Sequence, residues 1–156
     1  MKASSITELK KELKNRPQEE LVDICLSLAK FKKESKELLT YILFESSDEK
    51  SYVRNIKEEI DEQFEQINTE RYYILKKNIR KILRNVKKYI RYSKNKESEV
   101  ELLLYYCFKL KSMRPSIFRS QVLKNIYERE IISIRKKIES LHEDLQYDYA
   151  EELADY

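Results

Sequence analysis

The sequence predicts an all-α fold of seven to eight amphipathic helices, packed as antiparallel hairpins in a bundle or in a short helical-repeat-like stack. Three observations predict this fold. Apolar residues recur at helical spacing along most of the 156-residue chain, glycine is absent, and the only prolines are Pro17 and Pro115. Alternation of apolar and polar residues does not persist for the length of a strand, so no sheet is expected. We expect residues 1–156 to form a single domain.

Short polar clusters and the two prolines divide the chain into helices. Ser5 and Glu8 have the spacing of a capping box, which starts a first helix within residues 1–16. Pro17 and Pro115 then mark the starts of later helices. In chain order, the predicted helices cover residues 5–15, 18–31, 35–45, 48–67, 70–92, 97–111 and 116–141, and a short acidic helix or tail covers 142–156.

Apolar residues indicate which parts of these helices are buried. The helix over 35–45 is too apolar for a surface helix, so we expect it to lie centrally. Cys25 and Cys107 lie inside apolar runs, which predicts two buried, unreactive thiols and no disulfide. The apolar stripes consist of Leu21, Ile24, Cys25 and Leu28 in the second helix, Val53, Ile56, Ile60, Phe64 and Ile67 in the fourth, and Val122, Ile126, Ile134, Ile138 and Leu141 in the seventh.

The composition excludes several catalytic frameworks. Phosphate-binding loops of the Walker and Rossmann kinds and the nucleophile elbow all need glycine, which the chain lacks. His142 is the single histidine, so sites with several histidine ligands are excluded. The carboxylates between 58 and 65 are expected to form a solvated acidic face. We therefore predict a non-enzymatic protein with no metal site and no cofactor.

The apolar runs are too short for a membrane span. The longest, 38–44 and 102–108, span seven residues each, and the first of them is interrupted by Thr40. A transmembrane helix needs about twenty apolar residues. The first residues contain no apolar region of the kind that a secretory signal requires. We therefore expect a cytoplasmic protein.

A cationic segment is the strongest functional signal. Between Arg71 and Lys96 the chain carries eleven Lys or Arg residues and no Asp or Glu, although the net charge of the whole chain is only +4. On a helical wheel the apolar residues of this segment fall on one side, and the cations occupy a band roughly 120° wide on the other. The predicted anion- or partner-binding residues are Lys77, Arg80, Lys81, Arg84, Lys87, Lys88 and Arg91.

Several counter-charges can compensate this band. The acidic segments 48–70 and 139–155 of the same chain would neutralise it without a ligand. A nucleic-acid backbone would match cations at helical spacing, and a tyrosine such as Tyr73 can stack on unpaired bases. An acidic protein partner is another possibility, and the cationic region 109–137 extends the surface if it folds alongside. A lipid surface is the weakest alternative, because the apolar face of the helix is needed for the core.

We predict a helical scaffold that binds another protein, with nucleic-acid binding along the cationic band as the alternative. Carboxylates from the same chain against Arg80, Arg84 and Lys87 would favour the scaffold. An open groove that joins these three residues to Arg119 and Lys124 would favour nucleic acid.

Three stretches carry a family resemblance. They are KELLTY at 36–41, EEIDEQF at 58–64 and VELLLYY at 100–106. Together with the basic helix between the last two, they resemble a family of small all-helical bacterial proteins of unknown function. The resemblance covers most of the chain from Pro17 onward and consists of helical patterning. It implies a fold and no activity.

Overall fold

A computed structural model describes all of residues 1–156 and confirms the all-α prediction, with eight α-helices and no strand. None of the helices combines the length and the apolar character that crossing a membrane requires. A π-helical turn, Tyr41–Glu45, continues the third helix. The α-helices are α1 (Ile6–Lys14), α2 (Gln18–Phe31), α3 (Lys33–Thr40), α4 (Glu49–Glu65), α5 (Tyr72–Ser93), α6 (Lys96–Ser112), α7 (Gln121–Ile138) and α8 (Glu143–Ala154).

Side-chain caps fix several helix starts. The predicted capping box is confirmed, because the Glu8 N–H donates to Ser5 Oγ at 3.3 Å and the Ser5 N–H donates to the Glu8 carboxylate at 2.8 Å. The Ser5 N–H and the Ser5 hydroxyl both donate to the Glu8 carboxylate, and these two bonds lower the pKa of Glu8. His142 caps α8 in the same way, with Nδ1 accepting from the Asp144 N–H at 3.4 Å. The acidic C-terminal segment is therefore a helix and not a tail.

The predicted start of the seventh helix at 116 is wrong. A short 3₁₀ turn, Ile117–Arg119, comes first, and Ser116 Oγ accepts from the Phe118 N–H at 3.3 Å. Ser120 then has an extended backbone, and α7 begins at Gln121. The hydroxyl of Ser116 satisfies a backbone N–H locally, which allows the chain to turn before the long helix starts.

Lys94 ends α5 in the left-handed region, with φ 56° and ψ 16°. Its N–H donates to the carbonyl of Ile90 at 2.9 Å. This conformation costs an L-residue about 1–2 kcal/mol, whereas glycine adopts it freely. Because the chain contains no glycine, a lysine occupies a position that usually favours one.

Substitution of Lys94 by glycine is expected to raise the free energy of unfolding by up to about 1 kcal/mol. The relieved backbone strain exceeds the entropy that glycine adds to the unfolded chain. Urea denaturation followed by circular dichroism would measure the change. Arg91→Gly, inside the same helix, is the control and should lower the stability by about 1 kcal/mol. A loss of stability in Lys94→Gly would contradict the explanation.

The chain divides into two compact units, residues 1–44 and residues 45–156. The sequence predicts a single domain over residues 1–156, and the single domain stays a prediction. The larger unit is built around α6, which packs against α4, α5 and α7. Contact with three helices explains why buried residues extend around most of α6. Its buried residues are Ser98, Val100, Leu102, Leu103, Leu104, Tyr106, Cys107 and Leu110.

Two polar groups, the hydroxyl of Tyr106 and the thiol of Cys107, are buried in this core. The Tyr106 hydroxyl donates to the carbonyl of Ile79 on α5 at 3.3 Å. Burial raises the pKa of the Cys107 thiol to about 12. The prediction of a buried thiol is therefore confirmed for Cys107, and the thiol stays protonated at neutral pH.

In the smaller unit, no side chain of α1, α2 or α3 is buried. The predicted burial of Cys25 is wrong, because this cysteine is exposed. Leu28, in the predicted buried stripe of α2, is 61% exposed. The expectation that the third helix is too apolar for a surface position is also wrong, since Tyr41 is buried but Ile42, Leu43 and Phe44 are all exposed. Three short helices offer too little surface to cover the apolar residues that they carry.

A candidate binding groove between α5 and α7

One row of side chains on α5 forms the first wall of a groove. Residues spaced by three and four positions share a face of an α-helix, and this row starts at Tyr73 and ends at Lys87. At 1.5 Å per residue the row is about 21 Å long. Its members are Tyr73, Lys76, Lys77, Arg80, Leu83, Arg84 and Lys87.

The second wall comes from α7, which lies across the groove from α5. Ile126 and Arg129 face the middle of the α5 row, in a cavity of about 650 Å³. A neighbouring cavity of about 480 Å³ shares Arg80, Ile126 and Arg129 with the first. The two cavities therefore form one continuous α5–α7 groove. On the α7 side, the second cavity is also lined by Val122, Asn125, Glu128 and Ile132.

The groove has an apolar floor and a cationic rim. Ile126 is buried and Leu83 is half-buried, so these two side chains form the floor. Arg80, Arg84 and Arg129 are exposed at the rim. The aliphatic stems of arginine and lysine side chains can cover apolar surface while their charged ends stay in water. The groove therefore offers apolar contact at Leu83 and Ile126 and positive charge along its α5 edge, while its α7 edge carries Arg129 beside Glu128.

One carboxylate is paired with the cations of the α5 wall. Lys87 Nζ lies 2.7 Å from Glu130 Oε1 on α7, and the Glu130 side chain is only 7% exposed. The second carboxylate oxygen of Glu130 is buried and has no hydrogen-bond partner. Neither Arg80 nor Arg84 forms an ion pair. The groove therefore retains a strong positive charge.

Of the seven predicted binding residues, four line the groove: Lys77, Arg80, Arg84 and Lys87. Lys81, Lys88 and Arg91 belong to the predicted band but not to the groove lining. The Lys88 ammonium instead lies 4.5 Å from the centre of the Tyr89 ring. The α5 row is about as wide as the predicted band, but it is rotated around the helix by roughly 40°. It is rotated because α7 lies to one side of the band.

Sequence reasoning missed Lys76 and Arg129 as groove residues. Arg129 lies three positions after Ile126, at the edge of the apolar stripe that the sequence predicts for α7. Lys76 follows Leu75, a core residue of α5. Cations at the edge of a buried stripe can indicate groove residues. They do so only once it is known that α5 and α7 lie beside one another.

The two acidic segments that the sequence suggests as neutralisers have other contacts. Segment 139–155 contains all of α8, which packs against α7. In segment 48–70, Glu59 accepts hydrogen bonds from the Tyr89 hydroxyl at 2.9 Å, and Asp61 lies 2.9 Å from Lys109 Nζ. The carboxylate that reaches Lys87 belongs to Glu130, which lies in neither segment.

The two features that would separate the scaffold from nucleic-acid binding are each present only in part. A carboxylate covers Lys87 but not Arg80 or Arg84. An open groove is present, yet it joins these residues to Arg129 and not to Arg119 or Lys124. Lys124 lies 3.6 Å from Glu128, its neighbour on α7.

Comparison with known proteins adds no functional information. The chain matches no protein-family model, no curated protein and no solved structure. The resemblance to small all-helical bacterial proteins stays a prediction.

Proposed function

We propose that the protein is a non-enzymatic helical interaction domain whose α5–α7 groove binds an acidic, amphipathic segment of another protein. The observation that carries this proposal is the apolar floor of Leu83 and Ile126 between cationic rims. An amphipathic helix that binds in a groove places its apolar face on the floor. Carboxylates on its flanks would then reach Arg80 and Arg84 on one side and Arg129 on the other. Guanidinium groups suit this role because they bind carboxylates with two parallel hydrogen bonds.

A nucleic acid is the second candidate, supported by one specific feature. Tyr73 lies at one end of the groove and is 78% exposed. An exposed aromatic ring beside a row of cations can stack on an unpaired base. The floor of the groove argues for the peptide, because a phosphate backbone makes no use of buried aliphatic side chains. Action without a cofactor or metal and a cytoplasmic location are further proposals that come from the sequence.

Reversing two charges of the groove is expected to abolish binding of an acidic peptide. The probe is a fluorescently labelled synthetic helix with leucine at positions i, i+3, i+4 and i+7 and glutamate elsewhere. Arg80→Glu/Arg84→Glu should weaken binding about 100-fold, because charge-assisted hydrogen bonds contribute about 1.5–3 kcal/mol each. Fluorescence anisotropy at near-physiological salt measures the dissociation constant.

The control pair changes the same charge on the same helix. Lys81→Glu/Arg91→Glu lies outside the groove lining, so its affinity should stay within about threefold of wild type, as expected for screened surface charges. Equal losses in both double variants would show that the peptide follows net charge and not the groove. Failure of the wild-type protein to bind would remove the proposal.

The nucleic-acid candidate is tested with the same variants. A labelled single-stranded oligonucleotide replaces the peptide, across a series of salt concentrations. Binding that falls steeply with salt, requires Arg80 and Arg84, and weakens in Tyr73→Ala would favour this candidate. Absence of binding at low salt would eliminate it.

A further inference from the structure

Helix α2 exposes a large apolar surface. Ile24, Leu28 and Phe31 are spaced by four and three positions, so they share one face of the helix, and they are 36%, 61% and 80% exposed. Val22 and Leu26 are exposed on the opposite face. Helix α3 packs against α2 and leaves these side chains in solvent. Soluble proteins rarely leave contiguous apolar surface of this kind uncovered, and a unit of about 40 residues usually depends on oligomerisation for a core.

The charges along α2 indicate what covers this surface. Glu19, Glu20 and Asp23 lie in its first half, whereas Lys30 lies in its last turn and Lys32 and Lys33 follow directly. Two copies of such a helix in antiparallel orientation would place the acidic end of each beside the basic end of the other. The dipoles of two antiparallel helices would also interact favourably. A parallel pair would bring like charges together at both ends.

We propose that α2 pairs antiparallel with α2 of a second copy of this chain, so that residues 1–44 act as a self-association module. A two-fold axis is the usual symmetry of such a contact, because the same surface serves both partners. Glu20 forms an exposed ion pair with Arg16 at 3.2 Å. Exposed ion pairs contribute too little free energy to prevent Glu20 from interacting with a second copy of the chain. The inference does not rest on the α5–α7 groove.

Cys25 supplies a geometric probe of this arrangement. It is exposed and lies close to the middle of α2, which spans Gln18–Phe31. In an antiparallel pair that overlaps along its whole length, residues near the middle of one helix lie close to their own copies on the other. A short bis-maleimide should therefore link Cys25 to Cys25 and yield a covalent dimer. Cys25→Ser should yield none, because the remaining Cys107 is buried.

Sedimentation equilibrium of the full chain tests the self-association. The wild-type protein should be a dimer, and Leu28→Glu/Phe31→Glu should raise the dimer dissociation constant at least about tenfold. Ile6→Glu, an equally apolar and exposed position on α1, is the matched control and should leave the dimer intact. A wild-type protein that stays monomeric at all concentrations would overturn the proposal, as would equal effects of the control.

A charge exchange tests the antiparallel orientation and does not depend on one variant folding well. Glu19→Lys/Glu20→Lys makes both ends of α2 basic, and Lys30→Glu/Lys33→Glu makes both ends acidic. Each variant alone should dimerise at least about tenfold more weakly than wild type, because like charges then face each other. An equimolar mixture should form a heterodimer about as stable as the wild-type dimer. Failure of the mixture to restore association would overturn the antiparallel pairing.

Discussion

Replacement of Leu104 by alanine is expected to destabilise the unit of residues 45–156 by about 3 kcal/mol. Leu104 is 1% exposed on α6, the helix that α4, α5 and α7 surround. Removing the methine carbon and the two methyl groups of Leu104 loses transfer free energy and leaves a cavity that these neighbours cannot easily fill. Urea denaturation followed by circular dichroism gives the change in the free energy of unfolding.

The control for Leu104 is an aliphatic residue of the same unit that is already in solvent. Ile132 on α7 is exposed, so Ile132→Ala should change the stability by no more than about 0.5 kcal/mol. Similar losses for Leu104→Ala and Ile132→Ala would contradict the central position of α6. A near-neutral Leu104→Ala would contradict it as well.

Substitution of Lys87 by methionine is expected to cost about 3 kcal/mol, whereas substitution of its partner should not. The two partners differ in burial, since the Lys87 side chain is 45% exposed and that of Glu130 is 7% exposed. Lys87→Met leaves a buried carboxylate with no partner for either oxygen, which is strongly destabilising. Glu130→Met returns Lys87 to water and removes the orphaned oxygen, so the stability should stay equal or rise by about 1 kcal/mol.

A double-mutant cycle decides whether this asymmetry is real. Lys87→Met/Glu130→Met should be close to wild type in stability, because neither variant side chain leaves a buried charge behind. If Glu130→Met were as destabilising as Lys87→Met, the carboxylate would contribute to stability beyond the ion pair. The groove test uses Arg80 and Arg84 because their substitution leaves Glu130 paired with Lys87.

Helical periodicity was sufficient to predict the helices that contribute one clear face to the core. On α5, the predicted apolar side contains Tyr72, which is exposed, and five buried residues, Leu75, Ile79, Ile82, Val86 and Ile90. The predicted bounds differ from the observed ones by two residues at most. A long helix with apolar residues at every third or fourth position has few alternative ways to pack. The same regularity fixed which side of α5 carries the cations.

Helical periodicity predicted burial wrongly where it did not determine which element packs against a helix. The apolar residues of α2 and of the helix after it predicted burial, yet Cys25 and Phe44 are exposed, because an apolar face does not reveal what covers it. The groove was also out of reach, since Arg84 and Arg129 are far apart in sequence. Glu130 lies in the polar run Glu128–Arg129–Glu130, but it also lies four positions after Ile126 and four before Ile134. Helical spacing therefore placed this carboxylate on the buried face of α7, a signal that the apolar residues alone do not reveal.

The measurement that tests the α5–α7 groove most directly is a titration of the methyl-labelled protein with the acidic leucine–glutamate peptide, followed by methyl NMR spectra. We expect saturable shifts of the Leu83, Ile126 and Ile132 methyl groups, which line the groove. Methyl groups of Ile60 and Leu104, buried away from the groove lining, should move little. Saturable shifts confined to α2 and α3, or no shift at Leu83 and Ile126 under conditions where the peptide binds, would contradict the claim that this groove is the binding site.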